Sequence, residues 1–309
     1  KNVKLQRRGK AFTPNDAEWL NLWGLKLATD ANQSSNAHKA WEEFGTPSKT
    51  VLGEEVVVAV VDEGVDVSHP DLKANIFVNP GEVAGDGIDN DGNGYVDDIN
   101  GYDFSNDSGE IEPGYHGTHV AGTVSAVGNN NEGVIGLSPS TKVLSAAGSM
   151  YVSTAIEAYD YVYNLKKAYL ESNGAKGANI VATNSSFGYD EADCKSSGYK
   201  AFNDLYEKLG SVGVLNAAAT MNVHLDVDVV GDVPTACETN YMIAVTNIQP
   251  DGTINEAAYG VTHIDIAAPG TDIVSTTPGN SYDSLMGTSM ATPHVAGTIA
   301  YLHTIAGKS

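Results

Sequence analysis

Basic residues are scarce in this chain, which has 17 Lys and Arg against 39 Asp and Glu and a net charge of −22. Nucleic-acid binding needs a basic surface, so this balance argues against nucleic acid as a partner. It also argues against electrostatic binding to an anionic membrane surface. An acidic excess is instead typical of a soluble protein, and clustered carboxylates suit calcium.

Long apolar runs and cysteines are scarce as well. No apolar run approaches the roughly 20 residues that a membrane span needs, so we expect no membrane partner. Cys194 and Cys237 are the two cysteines, and this low, even count favours one disulfide in an exported protein over two buried thiols. The chain begins at Lys1 without an initiator Met or a signal peptide, which favours a processed form.

Strand-like and helix-like segments alternate along most of the chain. Apolar runs predict strands over residues 56–61, 142–147, 179–184, 212–219, 241–247 and 264–268. Helical spacing predicts helices over residues 37–44, 116–127, 154–171 and 201–209, the last closed by Gly210, and a buried helix beginning near Gly287. The alternation predicts an α/β fold, a three-layer sandwich with a mostly parallel central sheet.

Two stretches stand apart from this alternation. Residues 1–35 read as an N-terminal arm whose Trp19, Leu22 and Leu25 pack onto the body. Residues 79–115 read as an acidic, Gly-rich insertion. Because no repeat or linker divides the 309 residues, we expect one domain over residues 1–309.

Several polar residues lie where chemistry is expected. Asp62 follows the first buried strand, and functional groups gather at the carboxyl ends of parallel strands. His116 opens a predicted helix, and Ser289 lies near the start of another. A hydroxyl nucleophile needs a base, and the base needs an orienting group, so the order Asp, His, Ser is informative. Alone, Thr288 or Ser289 would be an ordinary helix N-cap, with Pro293 in the first turn.

Three sequence blocks carry a family resemblance: Val58 to Asp66 followed by His69-Pro70-Asp71-Leu72, residues 116–123, and residues 287–297. Shorter matches lie at 184–188 and 267–270. On these motifs the chain resembles the subtilase (subtilisin-like) serine peptidases over about residues 50–302. The resemblance implies a subtilisin-like fold and a secreted endopeptidase, extracellular or periplasmic, that acts on protein or peptide substrates. It also allows a propeptide as a partner.

The resemblance implies a role for each residue of the Asp-His-Ser set. Ser289 attacks the scissile carbonyl and forms an acyl-enzyme, His116 acts as general base and then acid, and Asp62 holds the imidazole. His119 and His294 are expected to be structural. The substrate would bind as an added strand between two backbone walls, Ser186-Phe187-Gly188 and Ala147-Gly148-Ser149. Pro234 resembles a family proline that is cis.

The oxyanion motif departs from the family pattern. Members usually carry Ala-Ala-Gly-Asn, whose Asn side chain donates to the oxyanion, but here the string runs from Ala217 through Thr220 and Met221 to Asn222. An ungapped match selects Thr220, and a shifted one selects Asn222. We favour Asn222 because an amide reproduces the usual N–H donor. The departure keeps open one alternative, a catalytically weak or silent subtilase domain that acts as a binding module. Another alternative is an esterase or transpeptidase-like activity that uses the same three residues.

Calcium is the expected cofactor. The run Asp89-x-Asp91-x-Asn93-Gly94 reproduces the first half of an EF-hand loop, with Tyr95, Asp97 and Asp98 following, although Asn100 replaces the usual bidentate Glu. The resemblance implies a second site at Asp71, Asn130 and the carbonyls of Gly128, Glu132 and Val134. There, Leu22 or Asn21 stands where the family usually has an N-terminal Gln, so this second site is expected to be weaker or empty.

Overall fold

The chain is described by a computed structural model that covers residues 4–5, 12–29 and 31–307. Its strands are β1 (Lys4–Leu5), β2 (Val57–Asp62), β3 (Gly101–Asp103), β4 (Lys142–Ala147), β5 (Ile180–Ser185), β6 (Tyr189–Asp190), β7 (Leu215–Ala219), β8 (Asp232–Val233), β9 (Met242–Ile248), β10 (Ile266–Pro269), β11 (Ile273–Thr277), β12 (Ser281–Leu285) and β13 (Ala306–Gly307). Its helices are α1 (Ala37–Phe44), α2 (Tyr115–Ser125), α3 (Val152–Glu171), α4 (Lys200–Ser211), α5 (Val227–Val230) and α6 (Thr288–Ile305).

Seven of these strands form a central sheet in the order β10-β9-β7-β5-β2-β4-β3. Every neighbouring pair in it is parallel. Three two-stranded antiparallel pairs accompany it: β1 with β13, β6 with β8, and β11 with β12. The predicted parallel sheet is therefore confirmed.

Alternate residues of β2 face opposite layers, as the period of a strand requires. Val58 and Val60 pack into a core cluster that also holds α1, α2 and α6. Val57, Ala59 and Val61 pack into a second cluster with α3 and α4. Since both faces of the sheet are covered, its central strands are apolar throughout, and the predicted three-layer sandwich is confirmed.

The N-terminal arm contacts the first of these clusters. Leu22 and Leu25 are buried members of the cluster, and Trp19 packs against it. The indole N–H of Trp23 donates to the Thr271 carbonyl at 2.8 Å. Single-domain organisation stays a prediction.

Several predicted boundaries change. Gly210 does not end α4, which continues to Ser211; a Cβ at Gly210 would lie 2.0 Å from the Tyr241 ring, so the glycine serves close packing. Gly287, not Thr288 or Ser289, is the N-cap of α6, and Pro293 is its sixth residue rather than part of the first turn. The predicted insertion at 79–115 contributes β3, the edge strand of the central sheet.

A disulfide joins Cys194 and Cys237, whose Cα atoms lie 5.3 Å apart. The Val233–Pro234 peptide bond is cis, as the family resemblance implied. Within the described part of the chain, the helices are too short or too polar to cross a membrane.

Candidate active site

The candidate site lies at the carboxyl edge of the central sheet, where β2 and β5 end side by side. Val61 pairs with Ser185 in the parallel register. Asp62 and Ser186 therefore leave the sheet as neighbours on adjacent strands, about 4.8 Å apart in backbone spacing. This edge brings the first helix turn of α2 toward Asp62 and that of α6 toward Ser186.

Asp62 and His116 form a direct hydrogen-bonded pair. His116 Nδ1 lies 2.9 Å from Asp62 Oδ1 and 3.0 Å from Oδ2. Asp62 is buried, and the Glu63 N–H also donates to its Oδ1 at 2.8 Å. Gly117 permits the approach, because a Cβ there would lie 2.2 Å from the Gly64 carbonyl oxygen.

The first turn of α2 is held by Glu63. The His116 N–H donates to Glu63 Oε1 at 2.6 Å, so a carboxylate satisfies a free amide at the positive end of the helix. This contact fixes the backbone of His116 next to the strand that carries Asp62.

The electrostatic surroundings of His116 favour its charged form. Burial lowers the pKa of the imidazole, but the charge of Asp62, its hydrogen bond and the charge of Glu63 raise the pKa above the ordinary 6.5. The imidazole side chain is 33% exposed, so its other nitrogen can face a bound substrate. A buried carboxylate behind a partly exposed imidazole is the arrangement of a general base with its orienting acid.

Ser289 is the second residue of α6 and is partly exposed. Its hydroxyl donates to the Ser186 carbonyl oxygen at 3.1 Å, which joins it to the edge that carries Asp62. The turn before Ser289 requires a glycine at position 287 for two reasons. Gly287 has a φ of +146°, and a Cβ there would lie 3.0 Å from Oδ1 of Asn222.

Pro293 interrupts the hydrogen bonding of α6 at the carbonyl of Ser289. A proline has no N–H to give the carbonyl four residues earlier, which here belongs to Ser289. The Ser186 hydroxyl donates to that Ser289 carbonyl at 2.7 Å instead. Ser186 and Ser289 are thus joined by two hydrogen bonds in opposite directions, which positions the start of α6 against the end of β5.

Asn222 and Thr220 take different places beside this helix start. Asn222 Oδ1 accepts from the Thr288 N–H at 2.8 Å, and within the described chain its Nδ2 donates to no residue. Asn222 is exposed. Thr220 is buried, its hydroxyl has no partner among the described residues, and its carbonyl accepts from the Thr288 hydroxyl. The free amide therefore belongs to Asn222.

The two predicted substrate walls lie on either side of β2, at the ends of β4 and β5. Ala147 ends β4, and Gly148 and Ser149 follow it, with the Gly148 N–H bonded to the Asp62 carbonyl at 2.8 Å. Ser186, Phe187 and Gly188 follow β5, and Gly188 is exposed. Asp62 ends the strand between these two segments, and Ser289 bonds to Ser186 of the second one.

The two other histidines of the motifs are buried. Burial lowers the pKa of both His119 and His294 to about 4. The Nε2 of His119 lies 2.9 Å from the Ile273 carbonyl, and the Nδ1 of His294 lies 2.9 Å from the Met290 carbonyl. Both contacts are internal to the packed core.

An acidic cluster lies in the 79–115 segment. Carboxylate oxygens of Glu82, Asp91 and Asp98 all lie within 4.8 Å of one another, a spacing that one cation can bridge. Oε2 of Glu82 is buried without a partner among the described residues, and Asp98 is fully buried. Burial raises the pKa of Asp98 to about 6. Sequence reasoning missed Glu82, which lies before the recognisable loop pattern.

The other residues predicted to bind calcium in the 79–115 segment have different roles. Asp89 accepts from the N–H groups of Gly92, Asn93 and Gly94, and Asp97 accepts from those of Gly85 and Gly87. The Asn93 amide bridges Asp91 and Asp98, at 3.3 and 2.9 Å. The Tyr95 ring packs edge-on against Tyr102, Phe104 and Tyr161.

A second polar cluster surrounds Asp71. Its oxygens accept from the Asn130 amide at 2.6 Å and the Val134 N–H at 2.9 Å. Residues 15–18 of the N-terminal arm bond to this loop, and among them Asp16 offers a carboxylate, whose Oδ1 accepts from the Asn129 N–H at 2.8 Å. Its Oδ2 is buried without a partner among the described residues, and burial raises its pKa to about 6.

Leu22 and Asn21, the two residues expected in place of the family's Gln, have other surroundings. Leu22 is buried in the apolar core, and the Asn21 amide donates to Glu18. Asp16 lies in no recognisable motif. The available signal was the Asp-Ala-Glu sequence after Asn15, because it places acidic residues in an arm that was expected to pack through apolar ones.

Comparison with known proteins gives a consistent result. A family profile described as the subtilase family matches residues 53–307. Subtilisin-like protease 1 of Plasmodium berghei is 33% identical over 98% of this chain and 50% of its own length. An extracellular protease of Xanthomonas campestris pv. campestris is 32% identical over 96% of this chain and 50% of its own length.

Solved structures agree with the fold. A protease structure from Pseudoalteromonas arctica has a TM-score of 0.68 and 28% identity, covering 94% of this chain and 87% of its own. The chain spans about half the length of the curated relatives it matches, at 50% of each of the two named here.

Proposed function

The chain belongs to the subtilase family, and on that basis we propose that it is a secreted serine endopeptidase domain that works through Asp62, His116 and Ser289. The observation that supports this most is the Asp62–His116 hydrogen bond of 2.9 Å beside Ser289 at one sheet edge. The activity, substrates and partners of the whole protein are part of the proposal.

In this proposal the Ser289 hydroxyl turns from the Ser186 carbonyl to the free Nε2 of His116. His116 takes the proton as Ser289 Oγ attacks the scissile carbonyl, and Asp62 stabilises the imidazolium through Nδ1–H. The protonated His116 then gives its proton to the leaving amine. Water attacks the acyl-enzyme with His116 again as base, and Ser289 is restored.

Two N–H groups stabilise the oxyanion in this proposal. One is the backbone N–H of Ser289, at the positive end of α6. The other is Asn222 Nδ2, which is available because Oδ1 accepts from Thr288. Together they supply donors aimed at charge that develops only in the transition state. Substrate would lie as an added strand between Ser186–Gly188 and Ala147–Ser149, since main-chain hydrogen bonds hold an extended peptide with broad sequence tolerance.

Calcium fits two places in the chain. At Glu82, Asp91 and Asp98, the unpartnered Oε2 of Glu82 supports a cation ligand. At Asp71, Asn130 and Asp16, the unpartnered Oδ2 of Asp16 does the same. When bound, calcium would neutralise buried carboxylates and tie the loops to the body. Secretion is supported by the Cys194–Cys237 disulfide, which persists in oxidising compartments.

The proposal is tested by casein hydrolysis with the purified wild-type protein, Ser289→Ala and a control, Ser284→Ala. Ser284 is an exposed serine of β12. We expect Ser289→Ala to lower kcat by about 10⁶, because the nucleophile is lost, and Ser284→Ala to retain activity. Casein binding without hydrolysis by the wild type would instead support a silent binding module.

A further inference from the structure

The wall residue Gly188 lies over a group of oxygen atoms. A Cβ built on Gly188 would lie 3.1 Å from the Val233 carbonyl oxygen, 3.6 Å from Asp232 Oδ1 and 3.8 Å from the Ala219 carbonyl oxygen. All three nearest atoms are hydrogen-bond acceptors, and one of them belongs to a carboxylate. These atoms lie at the end of β7 and in β8, next to the predicted substrate wall Ser186–Gly188 that follows β5.

The carboxylate of Asp232 is only half satisfied. Its Oδ2 accepts from the Met221 N–H at 3.2 Å and the Thr235 hydroxyl at 2.5 Å. Its Oδ1, on the side of Gly188, is buried and has no partner among the described residues. Asp232 is 0% exposed, and the residue next to this oxygen on the side of the predicted substrate wall is Gly188, which has no side chain.

Among the residues that the structure describes, no positively charged group contacts this carboxylate. The groups that face it are the Thr235 hydroxyl, the backbone N–H groups of Met221 and Val233, and the carboxylate of Asp190, its register partner in the β6–β8 pair. Burial raises the pKa of Asp232 to about 6, so the group is mostly ionised at neutral pH and above. A buried carboxylate with an open oxygen gains most from a cationic N–H donor.

Strand pairing and a disulfide hold the oxygen atoms beneath Gly188 in place. β6 and β8 pair antiparallel, Tyr189 with Val233 and Asp190 with Asp232. The Cys194–Cys237 disulfide ties together the chain segments that follow β6 and β8. This bracing holds Asp232 at a fixed depth below Gly188.

We propose that Asp232 makes this protein prefer a Lys or Arg side chain in the residue whose carbonyl Ser289 attacks. The cationic end of that side chain would enter between Gly188 and Ala219 and donate to Asp232 Oδ1. This inference rests on the proposed peptidase function and specifies its substrate class.

The test compares two peptidyl phosphonates that modify a nucleophilic serine and differ in one side chain, Arg or its neutral isostere citrulline. We expect the wild type to react with the Arg reagent about tenfold to a hundredfold faster than with the citrulline reagent, as a charged hydrogen bond predicts. Asp232→Asn removes the charge and should bring the two rates together. Asp190→Asn is the matched control and should keep the wild-type ratio.

The two levels of the proposal fail differently. If a simple fluorophosphonate leaves Ser289 unmodified, the peptidase function itself is wrong. If Ser289 is modified but the wild type reacts equally with both reagents, or faster with the citrulline reagent, the preference for a cation is wrong. If folded Asp232→Asn keeps the wild-type preference for the Arg reagent, the assignment to Asp232 is wrong. Asp232→Ser is the second neutral variant, used if Asp232→Asn does not fold.

Discussion

At the scale of single residues, the Asp62–His116 hydrogen bond controls the protonation of the imidazole. Asp62 and Glu63 together raise the pKa of His116 above 6.5 despite burial. The pair therefore stabilises the fold below about pH 6.5, and this contribution is lost as the pH rises through the raised pKa. Catalysis has the opposite requirement, because the general base must be neutral.

Asp62→Asn should move the acid limb of activity to lower pH. Removing the carboxylate charge lowers the pKa of His116, so the neutral base persists in more acidic solution. The variant should also lose about 10⁴ in kcat, because the imidazole loses its orienting acceptor. The pH dependence of Ser289 modification by a fluorophosphonate measures the limb, with Glu63→Gln as a milder control. An acid limb that stays in place in Asp62→Asn would refute the assigned pair.

Asn222→Ala should lower kcat far more than Thr220→Ala. Loss of one oxyanion donor costs about 10²–10³ in kcat, the magnitude known from subtilisin. The Thr220 hydroxyl is buried beneath the helix start, so its removal should leave the oxyanion donors in place. Steady-state kinetics on one peptide substrate decide the matter; equal losses, or a larger loss for Thr220→Ala, would contradict the assignment.

The sequence motifs sufficed for some of these residues and not for others. Asp62, His116 and Ser289 could be identified because each lies in a distinctive block at a strand end or helix start. Glu82, Asp16 and Asp232 could not, since each is an isolated acid whose partners come from distant segments. Their significance depends on burial and on an unpartnered oxygen, which only the folded arrangement reveals.

At the scale of elements, α6 depends on β5 at its first turn. The Ser186 hydroxyl replaces the N–H that Pro293 cannot supply to the Ser289 carbonyl. Ser289, the proposed nucleophile, is therefore held by a side chain from another element rather than by its own helix alone.

Ser186→Ala should destabilise the protein by about 1–3 kcal/mol, because the Ser289 carbonyl loses its partner. Pro293→Ala restores an N–H to that carbonyl, so Ser186→Ala should cost less in the Pro293→Ala background. A double-mutant cycle from denaturant unfolding measures the difference, which we expect to be about 1 kcal/mol. The same penalty in both backgrounds would show that the two groups do not share this carbonyl.

Long apolar strands and helices were predictable at this scale, and short or exposed ones were not. The strand predicted over residues 142–147 has the bounds observed for β4, because the apolar run is bounded on both sides. The pairs β6–β8 and β11–β12 were missed, the first because each strand has two residues and the second because β12 is polar. Pro278-Gly279-Asn280 was a usable hairpin signal, since Gly279 and Asn280 both have positive φ.

At the scale of the whole molecule, the net charge of −22 makes the fold dependent on counter-charge. Like charges repel in a compact state, and buried carboxylates add a desolvation cost. Cations at the two acidic clusters would offset both effects.

Excess chelator should therefore lower the Tm. A site saturated about a hundredfold over its Kd adds about 2.7 kcal/mol, which corresponds to roughly 4 °C in a chain of this size. Glu82→Gln and Asp16→Asn should each remove part of the chelator effect, whereas Glu256→Gln, in neither cluster, should leave it unchanged. A melting curve that chelator does not alter would contradict both sites.

The central claim is that Ser289 is a nucleophile activated by His116 and Asp62, and covalent labelling tests it most directly. The wild-type protein is treated with a fluorophosphonate at pH 8 and the modified residue is located by peptide mass spectrometry, with Ser289→Ala in parallel. We predict one adduct per chain, on Ser289, that is absent from Ser289→Ala and forms much more slowly in Asp62→Asn. No adduct in the folded wild-type protein, or an adduct on a different residue, would contradict the claim.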